Sequence, residues 1–252
     1  MTTFPKHWWQ KRPLIFGHRG ASQRAPENTM AAFQAAYEAG ADGVELDVHL
    51  TADGVPVVIH NARVDATTDG RGLVNELTLD QVRRLDAGSH FGPSFRGEPV
   101  PTLEEVLATF GDRLLINIEL KPQTRATGDL EGAVADLVSR YGLPERVWAS
   151  SFKPYSLARL RQIAPKVPCG LLYGPLNLGT LWLVPFTPFE ALHPESSLVA
   201  EWFVRLAHRV GRRVVVWTVD DPDRADQLAR WGVDGIITND PGALRKALYQ
   251  PR

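Results

Sequence analysis

Short apolar runs of strand character recur through the whole chain, each three to eight residues long. They are Leu14–Gly17, Gly43–Leu50, Val57–His60, Leu114–Leu120, Val147–Ser150, Gly170–Tyr173, Ala191–His193, Val214–Val219 and Gly235–Thr238. Between most of them lie amphipathic stretches of helical period: Asn28–Ala39, Thr102–Phe110, Leu130–Tyr141, Tyr155–Ile163, Leu198–Val210, Asp223–Trp231 and Gly242–Leu248. Start and stop residues frame them. Pro26 precedes the first and Gly40 follows it; Thr102 with Glu105 forms a capping box, and Gly111 stops that helix. Strands alternating with helices predict parallel βα units.

Nine strands are one too many for an eight-stranded barrel, and connection length identifies the extra one. Gly43–Leu50 and Val57–His60 are separated by about six residues, whereas a parallel crossover needs a dozen or more, so the pair forms an antiparallel hairpin. Asp53-Gly54 supplies its turn. The expected fold is therefore α/β: a single (β/α)8 TIM barrel over 1–252 with an antiparallel hairpin after strand two. Residues 61–101, rich in Gly, Thr and charge, form a small insertion or cap.

Length and composition agree. A chain of 252 residues suits one barrel, and 44% hydrophobic with 23% charged residues excludes disorder. A formal net charge of −1 argues against a nucleic-acid partner. The lone Cys169 lies in an apolar run and reads as core filler; the fold cannot depend on a disulfide. The N-terminal residues lack the apolar core of a signal peptide, and Pro175, Pro185 and Pro188 break the most apolar window, so no stable membrane insertion and a cytoplasmic location are expected. The sequence specifies no oligomeric state.

Four polar clusters fall at the carboxyl ends of proposed barrel strands, where barrel active sites sit: His18-Arg19-Gly20, Glu45-Leu46-Asp47, His60 and Glu119-Leu120-Lys121. On a strand Glu45 and Asp47 project from one face, about 6.6 Å apart, with Val44, Leu46 and Val48 on the other. At about 5 Å and an effective dielectric near 20, two such charges repel by about 3 kcal/mol, before any desolvation. One hard divalent cation, Mg²⁺ or Ca²⁺, relieves this, with Glu119 as a third oxygen ligand. The alternative is an ion-pair network of these carboxylates with Arg19 and Lys121 and no metal.

If Asp53-Gly54 is a two-residue turn, paired positions sum to 107 and His60 stands opposite Asp47. His18 ends the adjacent strand, so two imidazoles flank the carboxylates as a candidate acid–base pair. His49 lies further out on the same face, and His193 ends a strand at the same mouth. Arg19 and Lys121 add cations that fit an anionic, phosphate-bearing small-molecule substrate. Trp217 stands at the mouth as a wall for an apolar face.

In order and spacing the chain resembles the glycerophosphodiester phosphodiesterases. The likeness rests on Gly17-His18-Arg19-Gly20, Pro26-Glu27-Asn28-Thr29, Gly43-Val44-Glu45-Leu46-Asp47-Val48, Val57-Val58-Ile59-His60, Pro101-Thr102-Leu103-Glu104-Glu105, Ile116-Asn117-Ile118-Glu119-Leu120-Lys121, Trp217-Thr218-Val219 and Asp234-Gly235-Ile236-Ile237-Thr238. It implies metal-dependent hydrolysis of a glycerophosphodiester to glycerol 3-phosphate and an alcohol. Glu45, Asp47 and Glu119 correspond to metal ligands, His18 and His60 to the acid–base pair, and Arg19 and Lys121 to phosphate contacts. Trp217 corresponds to a glycerol wall, and Glu27 and Asn28 to a motif beside the site.

Three positions depart from the family pattern. Asn61 follows His60 where Asp is usual, Asp220 follows Trp-Thr-Val where Asn is common, and Asn239-Asp240-Pro241 is a variant ending. Other readings keep the scaffold: a lysophospholipase D or cyclising phosphodiesterase that uses the apolar stretch Leu176–Phe189 for an acyl chain, a Schiff-base enzyme acting through Lys121, or a non-catalytic binding protein. Three neighbouring carboxylates would keep Lys121 protonated and disfavour the Schiff base.

Overall fold

The computed structural model describes residues 4–5, 8–9, 13–122, 128–177, 179 and 189–249. Its strands are β1 (Leu14–His18), β2 (Gly43–Leu50), β3 (Pro56–Val58), β4 (Leu115–Leu120), β5 (Val147–Ser151), β6 (Cys169–Tyr173), β7 (Ala191–Pro194), β8 (Arg213–Val216) and β9 (Gly235–Thr238). Its helices are α1 (Met30–Glu38), α2 (Leu79–Val82), α3 (Leu103–Phe110), α4 (Leu130–Arg140), α5 (Pro154–Ile163), α6 (Glu201–Arg209), α7 (Pro222–Trp231) and α8 (Pro241–Tyr249). Eight strands pair in parallel in the order β1-β2-β4-β5-β6-β7-β8-β9, and β9 closes on β1. β3 lies outside the barrel, antiparallel to the far end of β2. This is the expected TIM barrel with its hairpin.

The hairpin register differs from the expected one. Val48 faces Val58 and His49 faces Val57, so paired positions sum to 106 and Asp47 faces Ile59, not His60. The cause is a three-residue loop, Ala52-Asp53-Gly54, closed by the Thr51–Val55 hydrogen bond. Gly54 takes φ +79°, the left-handed residue that such a loop needs and that glycine adopts without penalty. His60 therefore leaves the hairpin just beyond β3, on the connection into residues 61–101.

Strand alternation sorts the core into layers. Ile15, Val44, Leu46, Val48, Ile116, Ile118, Val214 and Ile236 point outward into the helix layer. Leu14, Phe16, Leu115, Trp148, Ala191, Val215 and Ile237 point inward, where Phe4, Trp8 and Trp9 of the N-terminal segment pack onto them. Trp148 meets Phe16 edge-on at 4.9 Å and Trp8 at 5.4 Å. The inward residues nearest the carboxyl ends are polar. The barrel thus has an aromatic floor and a chemically active mouth.

The connection from β3 to α3 carries a small core of its own: Val57, Ile59, Val64, Val74, Val82, Ala87 and Val100. It contains three 3-10 turns and α2, which opens with a Thr78–Gln81 capping box. Asp86 ties one loop by accepting from the backbone N–H groups of Gly88, Ser89 and Gly97. The segment returns where it left: Val58 N–H donates to Pro101 O, and Val57 bridges to Thr102. At Thr102 the expected capping box is present, and Glu105 also holds Arg83 at 2.8 Å. Cys169 is buried in the core, as expected of filler, and burial pushes its thiol up to about 12. Most of the Leu176–Phe189 stretch lies outside the described residues.

Trp148→Ala empties the centre of the aromatic floor without touching the mouth. It is expected to lower unfolding free energy by about 3–5 kcal/mol, read as a lower urea midpoint at unchanged m-value; an unchanged midpoint would contradict the layered core.

Candidate active site

The backbone between β1 and α1 is shaped to bring charge to the barrel mouth. Gly20, at φ +87°, lies so close to α1 that a Cβ there would come within 2.6 Å of the Ala32 backbone. Arg19 and Asn28 also sit in the left-handed region, at φ 55° and 57°. Asn tolerates this conformation; for Arg it is a local strain of the kind that persists at functional sites. The Asn28 N–H donates to Arg19 O, which locks the two turns together. Thr29, not Asn28, caps α1, by accepting from the Ala32 N–H. Asn28 is thereby free for the site: its Nδ2 donates to Asp47 Oδ2 at 2.8 Å and its Oδ1 accepts from the Asp47 N–H at 3.3 Å.

Glu45, Asp47 and Glu119 converge as their strand positions require, because β2 and β4 place Asp47 directly beside Glu119. They are 5%, 1% and 7% exposed. Each offers an oxygen within 4.8 Å of the others. Lys121 Nζ stands 3.1 Å from Asp47 and 2.5 Å from Glu119, and Arg19 Nε stands 3.3 Å from Asp47. The Arg19 N–H also donates to Glu45 Oε2 at 3.1 Å. Glu27 holds the far side of the Arg19 guanidinium at 2.8 Å, so it aims the arginine without reaching the carboxylates.

The protonation pattern follows from crowding. Burial, reinforced by Asp47 and Glu119, holds Glu45 well above the ordinary carboxylate range. Burial and then Asp47 raise Glu119 to about 7 against the pull of Lys121. Asp47 is also buried, yet Lys121, Arg19 and His60 together keep it below its ordinary value. Burial by itself would lower Lys121, but Asp47 and Glu119 outweigh it and raise the ammonium's pKa. A protonated Lys121 is no Schiff-base amine. The donor set is all oxygen, buried and carrying more negative charge than its two cations can settle, which fits a hard divalent cation.

His18 and His60 both face this cluster in a cavity of 220 Å³. Arg19, Lys121, Leu172, Trp217 and Ile237 also line it. Each imidazole is held through Nδ1 by an asparagine oxygen: His18 by Asn239 at 2.7 Å and His60 by Asn61 at 2.9 Å. The Asn239 amide is oriented in turn, because its Nδ2 donates to Asp220 Oδ2 at 2.6 Å and its N–H to Asp220 Oδ1 at 2.8 Å. Its carbonyl must then point at His18, which places the proton on Nδ1 and leaves Nε2 as the working nitrogen. The three departures from the family pattern are therefore the atoms that orient the two histidines. Burial, and then Arg19, lower His18; burial lowers His60 against the pull of Asp47, with Lys121 and Arg19 adding to the lowering.

The remaining candidates separate. Trp217 lines the cavity, donates its indole N–H to His193 O at 2.8 Å and meets Phe152 edge-on at 5.6 Å. His193 does not reach the cavity; it is fully buried inside the barrel, packed against Gly170, and burial holds it neutral, down to about 3. His49 donates from Nε2 to the His60 carbonyl at 3.0 Å and so supports the turn that carries His60. Phe152, which follows β5, is a cavity wall absent from the sequence expectations. Asn239, which orients His18 from outside the lining, was signalled beforehand only as a departure from pattern.

A model described as the glycerophosphoryl diester phosphodiesterase family matches residues 18–243, which spans every group just described. The chain belongs to this family. It is 42% identical over 236 residues to the glycerophosphodiester phosphodiesterase of Caldanaerobacter subterraneus subsp. tengcongensis, covering 92% of this chain and 96% of that one. Against the glycerophosphodiester phosphodiesterase of Bacillus altitudinis it is 34% identical, covering 90% and 94%. Among solved structures, an Oleispira antarctica phosphodiesterase in complex with the product sn-glycerol-3-phosphate superposes with a TM-score of 0.86 at 29% identity, covering 94% and 96% of the two chains. The glycerophosphodiester phosphodiesterase of Agrobacterium tumefaciens gives 0.79 at 30%, covering 92% and 98%. The protein is accordingly an enzyme, a glycerophosphodiester phosphodiesterase built on a TIM barrel. No helix among the described residues is long and apolar enough to cross a membrane.

The raised carboxyls make a signed prediction for the metal-free phosphodiesterase. Unfolded, Glu119 ionises near 4.5; folded, it holds its proton to about 7. Folding therefore takes up protons between these values, and stability falls as pH rises from 4.5 to 7. Melting temperatures in chelator should fall more steeply across that window for the wild type than for Glu119→Gln. Equal slopes would contradict the assignment.

Proposed function

We propose that this chain hydrolyses a glycerophosphodiester to glycerol 3-phosphate and an alcohol, with one divalent cation at Glu45, Asp47 and Glu119 and with His18 and His60 as the proton-transfer pair. The observation that carries the reading is the convergence of two amide-oriented imidazoles on three buried carboxylates, two of which line the same cavity as the imidazoles. Mg²⁺ and Ca²⁺ both suit the oxygen donor set. When bound, the cation supplies Lewis-acid stabilisation of the charge that builds on phosphate oxygens.

The chain's own residues supply the rest. Arg19, aimed by Glu27, and Lys121 bind the phosphate. Trp217, with Leu172 and Ile237, shapes the wall for the glycerol backbone. One histidine accepts a proton at Nε2 from the nucleophile, either water or the substrate's own 2-hydroxyl. The other donates a proton from Nε2 to the departing alcohol oxygen. Attack by the 2-hydroxyl would form a cyclic phosphate that water then opens. Asn28 acts by fixing the orientation of Asp47.

The same reading treats 1–252 as one catalytic barrel domain and 61–101 as its cap, supported by the cap's separate apolar cluster and adjoining ends. A fold built without a disulfide supports a cytoplasmic setting.

Chelation should abolish turnover, and Mg²⁺ or Ca²⁺ should restore it. His18→Ala and His60→Ala should each lower kcat about 10²–10⁴-fold with the fold intact by circular dichroism. Near-normal turnover by either variant in the presence of metal would overturn the histidine roles. Because both imidazoles are lowered from 6.5, the ascending limb of kcat/KM should lie below that pH; a limb above 7 would contradict the base assignment.

A further inference from the structure

A second cavity, of 280 Å³, adjoins the catalytic one and shares Glu119, Lys121 and Phe152 with it. Its other walls are His49, Ala62, Leu120, Pro122, Ser151 and Lys153. It is built from the carboxyl ends of β2, β4 and β5 and the first residues after His60, so it lies beyond the phosphate-binding cations on the side away from Trp217.

A phosphodiester has two ester arms that diverge from phosphorus. The first cavity holds one arm between Trp217, Leu172 and Ile237. The second cavity starts at Lys121 and Glu119, where the phosphate would lie, and leads away from that arm. We propose that it is the subsite for the departing alcohol, and that it selects alcohols without a positive charge, such as polyols, over choline or ethanolamine. The proposal rests on the phosphodiesterase reading above and names the substrate class within it.

The charge selection follows from the walls. Lys153 is exposed at the rim and makes no ion pair among the described residues. The Lys121 ammonium is paired with Asp47 and Glu119, which leaves Lys153 as the uncompensated charge of the described lining. The one carboxylate in the lining, Glu119, is engaged by Lys121. An aromatic face is the other usual seat for a quaternary ammonium, but the Phe152 ring already has Lys121 Nζ at 5.9 Å from its centroid. A cationic leaving group would therefore meet the Lys153 ammonium, with no free carboxylate or ring among the described lining residues to receive it. A polyol meets a donor in Lys153 and apolar surface for its carbon skeleton, and an anionic group would gain from Lys153.

The test compares kcat/KM for glycerophosphoglycerol, glycerophosphoinositol and glycerophosphocholine with metal present, in wild type, Lys153→Glu and Ala62→Trp. The wild type should prefer the two polyol diesters by tenfold or more. Lys153→Glu should cut that ratio at least fivefold by improving the choline diester. Ala62→Trp should lower kcat/KM for glycerophosphoinositol tenfold while product inhibition by sn-glycerol 3-phosphate, which reads the first cavity, stays within twofold. Equal or choline-favouring turnover in wild type, an unchanged ratio in Lys153→Glu, or a parallel loss of product affinity in Ala62→Trp would each overturn the subsite. Absence of turnover on every diester would overturn the reaction itself, a result distinct from any of these.

Discussion

Three carboxylates share one buried corner of the barrel mouth, with oxygens within 4.8 Å of each other and almost no exposure. No arrangement of protein groups alone makes this comfortable. Lys121 and Arg19 bring two positive charges, and even so Glu45 and Glu119 resist ionisation. Isolated buried charge is among the costliest features a fold can carry. The corner persists because strand geometry holds it: Glu45 and Asp47 share a face of β2, and the parallel register sets Asp47 beside Glu119 on β4. A divalent cation held there would resolve the frustration and turn a liability of the folded state into a binding site.

Much of the surrounding structure serves that corner. The outward residues of the same strands anchor them in the helix layer, so the carboxylates cannot retreat. The left-handed turns at Arg19 and Asn28 spend local strain to deliver a guanidinium and an amide to Asp47. Glu27 braces the arginine, while Asp220 through Asn239, and Asn61 directly, fix the imidazoles. Below the mouth the barrel is closed by aromatic packing around Trp148, which separates the part that gives stability from the part that gives chemistry.

The barrel was legible because alternation and connection length are local signals: β2 advertises its two faces in Val44, Glu45, Leu46, Asp47 and Val48, and a six-residue link cannot be a parallel crossover. The site was legible for the same reason, since its charged residues sit at strand ends. What sequence reasoning lost were choices made by three-dimensional closure. One extra loop residue at Ala52 moved the hairpin register, and only the folded turn reveals which residue takes φ +79°. The aromatic floor joins Trp8 and Trp9 to Trp148 across more than half the chain, with no periodicity to announce it. Asp220 and Asn239 looked like unrelated departures from a pattern, and only their contact with His18 explains them together.

On the reading proposed above, Glu45, as part of the acidic corner, is kept for a cation and not for the stability of the protein alone. Glu45→Gln tests it directly, since the amide mimics the protonated carboxyl that the crowded site imposes. Melting temperature with and without Ca²⁺ or Mg²⁺ is the measurement. The metal-free variant should melt at or above the wild-type temperature at pH 8, and most of the metal-induced rise expected of the wild type should disappear. A variant that is less stable than wild type in chelator yet gains the full increment from metal would contradict it.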